Sequence, residues 1–132
     1  MSQLTIAQKQ TFIERLNAVD FGPIAFKLMN PEDDTGWSIE TTTSAIDQYR
    51  QFLLLNYLYP ERAIVPSQII DKVWHTHILD TAKYREDCQM LFDRFIDHWP
   101  YFGMNDAADR QSLHTAFSET QVLWMQHFGE QM

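Results

Sequence analysis

DKVWHTHILDTAKYREDC, residues 71–88, and DHWPYFG, residues 97–103, together carry three of the five histidines, the lone cysteine and two of the four tryptophans. On a helix each residue turns about 100° and rises about 1.5 Å. Ile70, Val73, Trp74, His77, Thr81, Tyr84, Cys88, Leu91 and Phe95 then fall on one stripe, the inward face of an amphipathic segment. His77 points into the protein. His75 lies about 200° away on the side of Asp71, Ala82 and Glu86. An intact helix therefore keeps His75 and His77 from sharing one ion. His77 and Cys88 are separated by roughly 16 Å of rise and are not co-ligands either. The helix supplies only neighbouring pairs, His77 with Asp80 or Thr81 and Asp71 with His75. Further donors must come from elsewhere, and His98 and His114 are the candidates.

Working outward, Ser67 is the expected N-cap of this helix after Pro66, and the apolar pattern continues through Phe92 and Ile96, so the helix is expected to run as far as Asp97. Pro100 would end it, placing His98 at the helix C-terminus. Upstream, Thr5 caps a first helix whose apolar face is Ile6, Phe12, Ile13, Leu16 and Val19. Periodicity leaves residues 24–30 open between a brief helix and an extended piece. Pro31 to Ser44 reads as a surface loop with an acidic turn at Glu32, Asp33 and Asp34, and with Trp37 folding back onto the body. Ala45 to Leu58 reads as a helix burying Ile46, Tyr49, Phe52, Leu53 and Leu55, stopped by Pro60. Downstream, Asn105 or Asp106 caps a helix through Phe117. Ser118 and Gln121 have capping-box spacing for a bend and restart toward Phe128, and Gly129 is the stop. The expected fold is all-α, one domain over residues 1–132, a compact bundle of four or five helices with the WHTH helix central.

Composition narrows the function classes. With 132 residues, 45% of them hydrophobic, the chain is long enough to bury a real core. A net charge of −8 without a Lys/Arg cluster argues against nucleic acid and against an anionic membrane as partners. No run approaches the ~20 apolar residues of a membrane span, and no basic start precedes an apolar run. One cysteine rules out an internal disulfide. These features favour a cytoplasmic protein whose partner is a small molecule or another protein.

The run VWHTHILDTAKYREDCQMLF, residues 73–92, followed by DHWPYFG, resembles the glycine-rich domain-containing protein-like family of bacteria, fungi and plants. Trp74, His75, His77, Asp80, Thr81, Tyr84, Asp87 and Cys88 carry the resemblance, joined by His98 and Pro100 as in bacterial-type members. It lies mainly within residues 70–103. Asp93 stands where glycine is expected after Leu91-Phe92, which favours a helix continuing past the point where relatives turn. The resemblance implies where a site lies rather than which reaction it performs.

Three functional readings stand on these residues. In the first, His75, His77, His98 and His114 supply metal ligands, supported by Trp74, Asp80, Tyr84, Asp87 and Cys88. Histidine and carboxylate donors suit zinc, iron or copper, and an open coordination position would activate water or oxygen. In the second, the same histidines form a structural hydrogen-bond network in a non-catalytic interaction module. His77 is then a core imidazole bonded to a carbonyl or Tyr84, His98 is a capping or carboxylate-paired group, and Cys88, Trp74 and Tyr84 fill the core. In the third, a histidine serves as general base in a metal-free small-molecule enzyme. The metal-binding reading ranks slightly first, because leucine would fill an apolar stripe without the partner that buried imidazole requires.

Overall fold

A computed structural model describes residues 4–32 and 35–132. Among them the chain forms six helices and no strand: α1 (Ile6–Ala18), α2 (Gly22–Met29), α3 (Ile39–Leu58), α4 (Gln68–Leu79), α5 (Thr81–Phe92) and α6 (Ala107–Phe128). The all-α expectation holds, with six helices in place of four or five. Asp33 and Asp34 of the expected acidic turn lie outside the described residues.

Local signals set most of the helix starts. Thr5 forms a reciprocal cap with Gln8, each accepting the other's backbone N–H at 3.0 and 2.8 Å. Ser67 Oγ accepts the Ile70 N–H at 3.3 Å to open α4. Residues left open between helix and strand became α2, with Pro23 in its first turn, where a missing N–H costs nothing. The first helix buries Phe12 and Leu16, with Val19 buried just past its end, but Ile6 in its first turn is 88% exposed. The helix expected from Ala45 begins at Ile39, six residues early. Ser38 Oγ accepts the Thr41 N–H at 3.1 Å, an N-cap inside a stretch whose threonines read as loop. Trp37 does fold back, its N–H donating to Leu28 O at 3.1 Å. Toward the C-terminus, α6 is one 22-residue helix without the expected bend at Ser118. It contains neither glycine nor proline, so propagation beats a second nucleation. Asp106 caps it and Gly129, at φ 68°, stops it.

The largest departure from expectation is at Asp80. The helix expected to run from Ser67 to Asp97 is instead two helices meeting at this residue. Its N–H closes a tight bond to His77 O at 3.1 Å, while its C=O accepts the Tyr84 N–H at 2.8 Å and opens α5. Asp80 is therefore C-cap and N-cap at once, at φ −84° and ψ 73°. Aspartate competes well with a helix interior for such positions. The second helix also ends early, at Phe92, with Asp93 left-handed at φ 57°. Here aspartate does the job for which glycine was expected, and its Oδ1 accepts from Gln89 Nε2 at 2.6 Å. The chain turns despite the substitution. His98 thus lies six residues beyond α5 rather than at a helix C-terminus, and Phe95 is 51% exposed instead of on the buried stripe.

The core places α4 centrally, packed against α2, α3 and α5, while α3 also packs against α1 and α2. Ile70, Val73, Trp74, His77, Tyr84, Cys88 and Leu91 are buried as the stripe requires, and Thr81 at the corner is exposed. The last helix is tied on through side chains: Thr120 Oγ1 accepts the Val65 N–H at 3.0 Å, and Tyr59 Oη meets His127 Nε2 at 2.6 Å. Gly103, at φ 88°, lets the chain pass Leu113 at a distance where a Cβ would stand 2.4 Å from its Cδ2. Its N–H and that of Asn105 both donate to Asp109, which holds that carboxyl below the usual range. Among the described residues no helix is long and apolar enough to cross a membrane.

Candidate metal centre

The corner at Asp80 brings together side chains that a straight rod would keep apart. Residues ten positions apart on one helix are separated by about 15 Å. Yet Trp74 Nε1 donates to Tyr84 Oη at 2.9 Å, and His77 Nε2 meets Asp87 Oδ2 at 2.8 Å, both across the corner. The Tyr84 hydroxyl passes its own hydrogen to Ile96 O at 2.6 Å. That bond fixes the irregular segment after α5, two residues before His98. The His98 ring then packs on Trp74, centroids 4.5 Å apart.

His98 so placed meets the outer face of α4. Its Nε2 is 2.9 Å from Asp71 Oδ1 and 3.0 Å from His75 Nε2, and His75 Nε2 is 3.4 Å from Asp71 Oδ2. Asp71 and His75 are neighbours one turn apart, as their spacing predicted. Two donors bound about 2.0–2.1 Å from one ion at ordinary coordination angles stand roughly 2.9–3.5 Å apart. The separations of His98 Nε2 from His75 Nε2 and from Asp71 Oδ1 fall in that interval, and with one ligand atom from each residue all three lie within 4.8 Å of one another. Hydrogen bonding serves the same atoms poorly, because a ring nitrogen offers one N–H or one lone pair and His98 Nε2 faces two neighbours. A cation at the centre would satisfy all three donors together. His75 is exposed and Asp71 and His98 are half-buried, so the group is open to solvent on one side.

Beside the group lies a cleft of about 610 Å³ whose lining includes Asp71, Trp74, His98, Arg94, Trp99 and Phe102. Its size is ordinary for a small-molecule site.

His77 belongs to a different assembly. It is 1% exposed, and its Nδ1 lies 2.7 Å from Tyr49 Oη of α3 while its Nε2 faces Asp87, which also pairs with Lys83 Nζ at 3.2 Å. The neutral Nε2–H tautomer satisfies this chain fully: Tyr49 O–H donates to Nδ1 and Nε2–H donates to the carboxylate. Burial pulls the His77 pKa below its ordinary value near 6.5, against the opposing pull of Asp87. Burial likewise raises Tyr49 well above the usual tyrosine range, so it stays a hydroxyl. With a folded-state pKa depressed, the unfolded chain binds more protons as pH falls below about 6.5, and stability is lost in that direction. Urea unfolding at pH 7.5 and 5.5 is expected to show lower stability at the acid pH. His77→Gln should flatten that part of the profile; an unchanged slope in the variant would assign the acid sensitivity elsewhere.

Of the residues singled out in the sequence, His75 and His98 come together; His77 and His114 do not join them. His114 is exposed on α6. Asp80 serves the corner through its backbone, and Asp87 serves His77. Cys88 is 3% exposed, and burial pushes its thiol pKa up, which fits the core role and not a reactive thiolate. Trp74 and Tyr84 do fill the core, and they also hold the segment that carries His98. Two participants were missed. Asp71 was legible from its spacing to His75 yet was left out of the ligand set. Tyr49 arrives from another helix 28 residues away, with no local signal.

Because the Tyr84 hydroxyl joins Trp74 Nε1 to Ile96 O, Tyr84→Phe tests its positioning role. Were the triad to hold a metal ion, its affinity would be expected to fall about 10–100-fold, the range found when an outer partner is removed, with stoichiometry at saturation unchanged. A competition titration against a chromophoric chelator would read it; unaltered affinity would leave Tyr84 a packing residue.

Compared with known proteins, residues 11–121 match a family model described as UCP032817-like. Glycine-rich domain-containing protein 1 of Arabidopsis thaliana is 32% identical over 89 residues, 64% of this chain and 11% of the plant protein. Glycine-rich domain-containing protein 2 of the same plant is 33% identical over 89 residues, with the same shares. The chain thus spans about 11% of the curated relatives it matches. No solved structure matches it. The family match reaches from α1 into α6, well beyond the segment 70–103 in which the resemblance was first legible.

Proposed function

This chain belongs to the UCP032817-like family, and from its own donor geometry we infer a metal-binding helical domain centred on Asp71, His75 and His98. One observation carries the reading. Three side chains from two parts of the chain converge so that one ligand atom from each lies within 4.8 Å of the other two, with the His98 Nε2 facing both His75 Nε2 at 3.0 Å and Asp71 Oδ1 at 2.9 Å. Two histidines and a carboxylate suit zinc or iron, and copper among the softer choices. Three protein donors leave coordination room facing solvent, where a bound ion would polarise a ligand or lower the pKa of a water.

The structural reading of the histidines has its own support, and it attaches to a different residue. His77, enclosed with Tyr49 and Asp87, acts as a core lock. The two readings therefore divide between the two histidines of the WHTH motif, one facing in and one facing out.

Elemental analysis of protein purified without an affinity tag tests the inference. About one equivalent of transition metal is expected, falling to background in His75→Ala and His98→Ala while His77→Phe retains it if folded. Metal-free protein that also refuses added zinc or ferrous iron would overturn it.

A further inference from the structure

The cleft beside the triad has a chemistry of its own. Its lining residues include Arg62, Arg94, Trp99 and Phe102, together with Asp71 and His98 of the triad. Arg62 is already engaged, its guanidinium 5.0 Å over the Tyr59 ring. Arg94 has no ion pair or hydrogen bond among the described residues, in a chain whose net charge is −8. It follows the left-handed turn at Asp93 and precedes Ile96, whose carbonyl is pinned by Tyr84, so its backbone is held at a fixed place relative to His98. Trp99 lines the same cleft and is 75% exposed, an apolar area that a ligand would cover.

Glu61 and Asp97 also line the cleft. A divalent ion on Asp71, with two arginines present, outweighs these carboxylates and makes the loaded cleft attractive to an anion. We propose that the cleft binds a small organic carboxylate with an apolar or aromatic body, its carboxylate held by Arg94 beside the ion and its body against Trp99 and Phe102. Guanidinium is the side chain that matches a carboxylate in the plane with two parallel N–H donors. The inference rests on the metal reading for the ion's share of the attraction, and on Arg94 and the aromatic wall for the rest.

The test titrates 3-phenylpropionate and its neutral counterpart 3-phenylpropan-1-ol into zinc-treated protein by calorimetry, with zinc content measured on the same samples. The acid is expected to bind at least about tenfold tighter than the alcohol, as a charge-assisted hydrogen-bond pair supplies. Arg94→Gln, at an exposed position, should cut that preference severalfold, leaving only the ion's share. Equal affinities, a preference undiminished by Arg94→Gln, or no binding of either compound at millimolar concentration would each overturn the proposal. An Arg94-dependent preference in protein that holds no zinc would retire the metal reading and keep this one. Stoichiometric zinc without an acid preference would do the reverse.

Discussion

Asp71→Ala is expected to lower zinc affinity by at least about 100-fold, because losing a direct ligand should exceed the 10–100-fold that outer partners command. Asp71 is the only anionic donor in the proposed site, so its removal would take away both a coordination bond and the charge that would offset the ion. Asp71→Asn keeps an oxygen in place without the charge, and an intermediate loss is expected. The fold should tolerate both changes. Asp71 sits in the first turn of α4, where a negative side chain contributes only ~0.3–1 kcal/mol through the helix dipole. The two effects therefore separate cleanly: a small change in the metal-free protein, and loss of most of the stabilisation that zinc confers. At a zinc concentration of about 100 times Kd, wild-type protein should gain roughly 2.7 kcal/mol, and Asp71→Ala almost none of it at the same concentration. Thermal unfolding with and without zinc reads both numbers. Equal zinc-induced shifts in wild type and variant would show that Asp71 is no ligand.

His77→Ala is expected to cost about 3–5 kcal/mol of stability. The change opens a cavity between α3, α4 and α5, strands the Tyr49 hydroxyl in a site with no solvent, and deprives Asp87 of its donor. Removing one partner of a buried charge-assisted bond has costs of this order. Lys83 softens the loss at Asp87, since that carboxylate remains paired and is 15% exposed. The orphaned Tyr49 has no such relief among its described neighbours, so the double change Tyr49→Phe with His77→Leu should recover part of the loss. For a chain of this length, roughly 3–5 °C of Tm follows each kcal/mol. A His77→Ala variant within 1 kcal/mol of wild type would mean that the lock is not holding the three helices.

Most of the scaffold was legible because it follows from short-range rules. The Thr5 and Ser67 caps, the stop at Gly129 and the burial of Val73, Trp74, Tyr84 and Cys88 need only neighbours three or four residues away. Asp80 was not legible, because an aspartate flanked by leucine and threonine within a sustained apolar period fits a helix interior or a corner equally well. The choice depends on the long-range contacts that the corner permits. Without the corner, the pattern carries His98 to a helix end, whereas the turn at Asp93 leaves it in an irregular segment six residues beyond α5. The expectation that His75 and His77 cannot share an ion rests on angle alone, and within the intact turn of α4 His77 is buried while His75 is exposed. What angle could not give was the sorting of donors: which imidazole meets a carboxylate on its own helix and which meets one beyond the corner. Tyr49 lay further out of reach, since nothing around it distinguishes its hydroxyl from that of any core tyrosine.

The bend between α4 and α5 also sets a limit on how the chain can vary in length. Both bridges that span it, from Trp74 and from His77, depend on the angular phase of the helix that follows. One residue inserted between Leu79 and Thr81 would turn that phase by about 100°, swinging Tyr84 and Asp87 away together. The core lock and the purchase on His98 would fail in the same event, so the spacing from Trp74 to Tyr84 behaves as a ruler shared by two otherwise separate devices.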